Sequence, residues 1–185
     1  GILASLSAAS TVLQPRSPLR NRVELVVQEM INSLCGRVED NGAVGRSTMD
    51  NRKDAAWCHG APGVLLGLTI AKENGFRCSR AVLDRLADYV KYRGVGNNST
   101  ACHGDLGNLR ILGRYAELIS DNVLLTSTQE ELLNRAKALA MRGRVGYEDK
   151  YSSTDSLMLG RAGAVLTLLF ALSPTEYPDF LTLGM

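Results

Sequence analysis

Apolar residues recur along the chain in two kinds of helical run. In the first, an apolar stripe shares the helix with charged positions. Residues 20–34 place Val23, Val26, Val27, Met30, Ile31 and Leu34 at helical spacing. Residues 79–93 do the same with Val82, Leu83, Leu86, Tyr89 and Val90, and residues 127–142 with Leu132, Leu133, Ala136, Leu139 and Ala140. Thr128 and Glu131 have the spacing of a capping box, which predicts a helix start there. In the second kind, a glycine leads a run with few charges. The four copies are Gly1-Ile-Leu-Ala-Ser-Leu, Gly63-Val-Leu-Leu-Gly-Leu, Gly107-Asn-Leu-Arg-Ile-Leu and Gly163-Ala-Val-Leu-Thr-Leu.

In the last three copies another glycine stands three residues earlier, at Gly60, Gly104 and Gly160. The leading glycines are 62, 44 and 56 residues apart. Periods of about 45 residues belong to stacked helical hairpins. The predicted fold is therefore all-α, with Gly-led helices inside and amphipathic helices outside. A G-x-x-G entrance lets neighbouring backbones approach closely, and Pro62 in a first turn sacrifices no hydrogen bond. Long connections remain at residues 36–56, 94–101 and 143–156, a length that is uncommon without a function. No clean strand pattern interrupts the helices.

Composition narrows the picture. With 185 residues and 45% hydrophobic content, the chain suits one globular unit. A net charge of +2 and 5% aromatic residues argue against a nucleic-acid partner. No apolar run approaches the ~18 residues of a membrane span, and residues 2–13 lack the basic lead of a signal peptide. Four cysteines, at 35, 58, 78 and 102, are not needed as staples in a helical chain of this size. A reducing, cytoplasmic setting is the expectation.

Two of those cysteines carry the candidate chemistry. They lie in Trp57-Cys58-His59-Gly60-Ala61-Pro62-Gly63 and Cys102-His103-Gly104-Asp105-Leu106-Gly107-Asn108, each at the entrance of a Gly-led helix. Thiolate plus imidazole suits zinc, which in catalytic sites takes three protein ligands and keeps one position open. Cys58, His59, Cys102 and His103 make four candidates. The bland alternative is two small buried cysteines and two incidental histidines. The repeat weighs against it, because equivalent positions of consecutive hairpins lie side by side.

These two segments, with Leu157-Met-Leu-Gly-Arg-Ala-Gly and Pro178-Asp-Phe-Leu, resemble lanthionine synthetase C-like (LanC-like) proteins. The His after Cys58, the APG and the closing segment look most like the cyclase domain at the C-terminus of class II lanthipeptide synthetases (LanM). The resemblance implies an α/α toroid, of which residues 1–185 would form an incomplete arc: the C-terminal part of a cyclase domain, with upstream hairpins missing. It implies Zn2+ on Cys58, Cys102 and His103. It also implies addition of peptide cysteine thiolates to dehydroalanine or dehydrobutyrine, which gives lanthionine thioether rings. The implied partners are a dehydrated precursor peptide and an upstream dehydratase domain in the same natural chain.

His59 stands where family members carry Tyr or His, and is the candidate acid for the enolate; a lining or capping role is equally open. The further His of the family's earlier motif has no counterpart here, since His59 and His103 are the only histidines. Arg52 and Lys53 lie near the basic position that the family places before the Trp-Cys motif, in uncertain register. Asp105 and Asn108 are expected to be structural, capping or orienting His103. Trp57 is expected to pack beside the metal, Arg161 to be solvated, and Cys35 and Cys78 to be structural. Two alternatives stand beside the cyclase: a zinc protein that binds or adds other thiols such as glutathione, and an inactive zinc-binding remnant.

Overall fold

The computed structural model describes residues 1–142 and 155–182. Among these residues seven helices follow one another: α1 (Ile2–Val12), α2 (Pro18–Cys35), α3 (Ala61–Glu73), α4 (Arg80–Arg93), α5 (Asp105–Ile119), α6 (Asn122–Arg142) and α7 (Arg161–Leu172). No strand forms among them. Two isolated antiparallel bridges, Gly45 with Lys53 and Ala55 with Gly60, pin the connection ahead of α3.

Local chemistry explains where the outer helices begin. Ser17 Oγ accepts the Arg20 N–H at 3.2 Å, and Pro18 takes the first turn of α2. Ser79 occupies the N-cap position of α4 without a side-chain cap, its carbonyl accepting the Leu83 N–H at 3.2 Å. Helix α6 starts at Asn122 rather than at residue 127. Asp121 Oδ1 accepts the Leu124 N–H at 2.9 Å and so starts the helix earlier. Thr128 is then inside α6, where its hydroxyl donates to the Leu125 carbonyl at 2.8 Å. The expected capping box is not what begins this helix.

The Gly-led helices α1, α3, α5 and α7 pack in that order, each against the next. Helix α2 packs on α1, α4 on α3, and α6 on α5. The result is an arc of helical hairpins in two layers, as the repeat predicts. Its core lies between α3, α4 and α5, where Leu65, Leu68, Leu83, Leu86, Val90, Ile111, Leu112 and Tyr115 are fully buried. Each such side chain contributes roughly 1.5–3 kcal/mol of transfer free energy. At the two ends of the arc, Ile2 and Val12 of α1 and Val165 and Leu172 of α7 are exposed.

The repeated glycines have one shared purpose. Behind Gly63, Gly107 and Gly163 the chain folds back so that a carbonyl closes on the Cα. A Cβ on Gly63 would stand 2.1 Å from the Trp57 oxygen, on Gly107 1.8 Å from that of Ala101, and on Gly163 1.7 Å from that of Leu157. In all three the carbonyl belongs to the residue six positions earlier. The three entrances therefore share one backbone path. They are also tied to one another: Trp57 N–H donates to the Cys102 carbonyl at 2.7 Å, and Cys102 N–H donates to the Met158 carbonyl at 3.0 Å.

Candidate metal centre

Cys58 and Cys102 stand five residues before Gly63 and Gly107, so they occupy equivalent places in successive entrances. Because the entrances sit side by side, the sulfurs of Cys58 and Cys102 and a ring nitrogen of His103 all lie within 4.8 Å of one another. Cys58 Sγ is 3.5 Å from His103 Nε2. Cys102 is buried, His103 half-buried and Cys58 exposed. The cluster thus has a fixed inner side and one side open to solvent.

The donor set fits a soft divalent cation. Burial, followed by the hydrogen bond and charge of the Cys58 sulfur, pushes the Cys102 thiol up to about 12. Two crowded sulfurs in such a place are satisfied by a cation, which removes their protons. Burial, and after it the neighbouring His59, holds His103 below its ordinary value and so neutral, the form that ligates metals. Nδ1 of His103 is buried without a hydrogen-bond partner among the described residues, although buried ring nitrogens are ordinarily paired. Two thiolates and an imidazole leave a fourth tetrahedral position.

His59 does not converge with the other three as a fourth ligand. Its Nδ1 lies 2.9 Å from Cys58 Sγ, and its Nε2 lies 3.1 Å from Asp54 Oδ2. A carboxylate only accepts, so Nε2 carries the proton and Nδ1 faces the sulfur. The His59 and His103 rings meet edge-on, with centroids 5.2 Å apart.

Asp105 is structural, but it does not touch His103. Its Oδ1 accepts the N–H groups of Gly96 and Asn97 at 2.9 and 3.1 Å, and its Oδ2 pairs with Arg135 at 3.1 Å. Asn108, wholly buried, donates to the carbonyls of Ala55 and Gly94 at 2.9 and 2.7 Å, and so joins the loops in front of both motifs. Arg52 and Lys53 are held away from the cluster: Arg52 pairs with Asp50, and Lys53 with Glu39 and Asn51. Among the described residues, the basic group that pairs with Asp54 besides His59 is Arg46, at 3.9 Å. Arg161 is exposed and pairs with Asp155. Trp57, half-buried, lines a cavity together with Cys58. Cys35 and Cys78, like the two motif cysteines, are free thiols.

Two residues near the centre escaped the sequence reading. Asn98 receives the Thr100 N–H and hydroxyl and donates to the His103 carbonyl at 3.2 Å; Thr100 Oγ1 in turn accepts the His103 N–H. Asp54 is the other. A signal for both lay in the repeat, because Asp54 and Asn98 each stand four residues before the motif cysteine.

The described helices include none long and apolar enough to cross a membrane. Among known proteins, the chain is similar to the lacticin 481/lactococcin biosynthesis protein LcnDR2 of Lactococcus lactis subsp. lactis, with 30% identity over 113 residues. That stretch covers 52% of this chain and 12% of the relative, so the chain spans a small part of that protein's length. The family model for lanthionine synthetase C-like protein matches residues 1–182. The chain belongs to the lanthionine synthetase C-like family.

Proposed function

We propose that this chain forms the metal-binding face of a zinc-dependent lanthipeptide cyclase, which adds a peptide cysteine to a dehydroalanine or dehydrobutyrine of the same peptide. The observation that carries this is the convergence of Cys58, Cys102 and His103 within 4.8 Å, with His59 2.9 Å from Cys58 on the open side. Cys58, Cys102 and His103 would hold the ion. Zinc, when bound, supplies acidity to a substrate thiol whose free pKa is near 8.5, so that it reacts as thiolate at neutral pH.

The residues of the chain then perform the rest. Asp54 orients the His59 ring through Nε2. His59 takes up at Nδ1 the proton that the substrate thiol releases, and returns it to the α-carbon of the enolate once the carbon–sulfur bond has formed. Such proton transfer contributes about 10²–10⁴-fold to a rate. Asn98 and Thr100 grip the backbone of His103 on both sides, so that its ring direction is set beforehand. The substrate is a peptide already dehydrated, which requires a dehydratase acting earlier, in the same natural chain or beside it.

Cyclisation leaves the peptide mass unchanged, so loss of alkylatable thiol is the measurement. The zinc-loaded protein is expected to protect one peptide thiol per ring from alkylation. Cys58→Ala should lose both the metal and that protection. His59→Asn should keep the metal and slow the reaction by about 10²–10⁴-fold. A zinc-loaded protein that leaves every peptide thiol open to alkylation would overturn the assignment.

A further inference from the structure

Beside Cys58 lies a cavity of about 230 Å³, walled by α1, α3 and the chain's closing segment. It is below the range of about 300–1,000 Å³ typical of whole small-molecule sites, so its capacity is that of a single side chain. Its wall is mainly apolar, with Ala4, Leu66, Ile70 and Leu181 around Trp57. Small residues create the space. Gly67 borders it from inside α3, where a glycine costs about 1 kcal/mol relative to alanine. Packing does not require that glycine, because a Cβ there would meet only the Leu3 side chain, at ordinary distances of 3.6 Å to Cδ2 and 4.0 Å to Cβ. The consequence of the missing side chain is open volume next to a metal-binding sulfur.

The opposite wall is held rigidly. Asp179 accepts the Leu181 N–H at 3.2 Å and pairs with Arg110 at 3.4 Å, while its carbonyl accepts the Thr182 N–H at 3.1 Å. Arg110 also lies over the Phe170 ring, 4.2 Å from its centroid. The closing turn is thereby fastened to α5 and α7, and Leu181 and Thr182 are set against the cavity.

We propose that this cavity receives the apolar side chain flanking the reacting cysteine of the peptide, which makes Gly67 and Leu181 specificity-determining residues. The assignment rests on the cyclase function proposed above. A peptide bound by its sulfur at the Cys58 cluster carries its neighbouring residue within reach of this cavity, and apolar walls select an apolar side chain. A difference of one or two methylenes in such a pocket is worth about tenfold or more in kcat/KM.

The test uses the zinc-loaded full-length protein and synthetic peptides with one dehydroalanine and one cysteine, flanked by Gly, Leu or Phe. The expected preference of Leu-flanked over Gly-flanked peptide is about tenfold in kcat/KM. Gly67→Leu, which fills the cavity, should bring that ratio close to one. Leu181→Ala, which enlarges it, should shift preference from the Leu-flanked to the Phe-flanked peptide, and decides the matter alone should Gly67→Leu fail to fold. Equal rates for all three peptides, or a preference that neither folded variant alters, would overturn the pocket while leaving the cyclase standing. If no peptide loses its thiol although zinc is bound, the cyclase function itself falls, and the pocket with it.

Discussion

Single residues at the helix entrances do work that their neighbours cannot. Asn108 is the sharpest case, since its amide joins the Ala55 and Gly94 carbonyls from inside the core. Asn108→Leu leaves both carbonyls without that donor and is expected to cost about 2–4 kcal/mol in urea unfolding, more than one ordinary hydrogen bond. Gly107→Ala should cost about 3 kcal/mol or more, because its methyl would enter the Ala101 carbonyl at 1.8 Å. Cys58, Cys102 and His103 were legible because contiguous Cys-His pairs announce themselves. Asp54 and Asn98 were marked only by their shared offset from the motif cysteines, since a lone acid or amide in a loop acquires its role only when the chain turns back. Asp105 was read correctly as structural but given the wrong partner: nothing in its spacing tells that its carboxylate faces Gly96 and Asn97.

At the scale of elements, hydrophobic period identified the helices, while side-chain caps fix the starts of α2 and α6. Residues 20–34 and 79–93 fall within a few positions of α2 and α4, since Ser17 and Ser79 lie where the apolar stripe begins. For α6 two start signals compete. The Thr128 and Glu131 pair has the right spacing, but Asp121 caps first and the helix runs through. Asp121→Ala is accordingly expected to lower stability by about 1 kcal/mol. Thr128→Val should stay within about 0.5 kcal/mol, since its hydroxyl only back-bonds inside the helix. Chemical denaturation of both variants checks this, and the opposite ranking would restore the capping box. Short bridges in the connection before α3 had no sequence signature, because one pair of residues carries no alternation.

For the whole molecule, the three proposed ligands come from two different hairpins, so metal binding at this cluster would be coupled to folding. With zinc at about a thousandfold above its dissociation constant, binding adds about 4 kcal/mol to stability. Chelation should then lower the Tm by about 10 °C for a chain of this size, and the shift should vanish in Cys58→Ala. Scanning calorimetry with and without chelator measures it. The arc itself was legible from the spacing of the leading glycines, whereas the closing turn at Asp179 was not, because its anchor is an arginine far away in sequence.

The three entrances share one backbone path, yet only two of them carry Cys-His. The third places Met158 and Leu159 at the corresponding positions and offers the Met158 carbonyl to Cys102 instead of a thiol to the cluster. An ion held by Cys58, Cys102 and His103, as proposed, would span the seam between two neighbouring units as a rivet does, with the third unit serving as backing plate. Occupancy of such a site would report alignment: sliding one hairpin past the next by a single turn, about 5.4 Å, would exceed the 4.8 Å spread of the three candidate ligand atoms and release the metal.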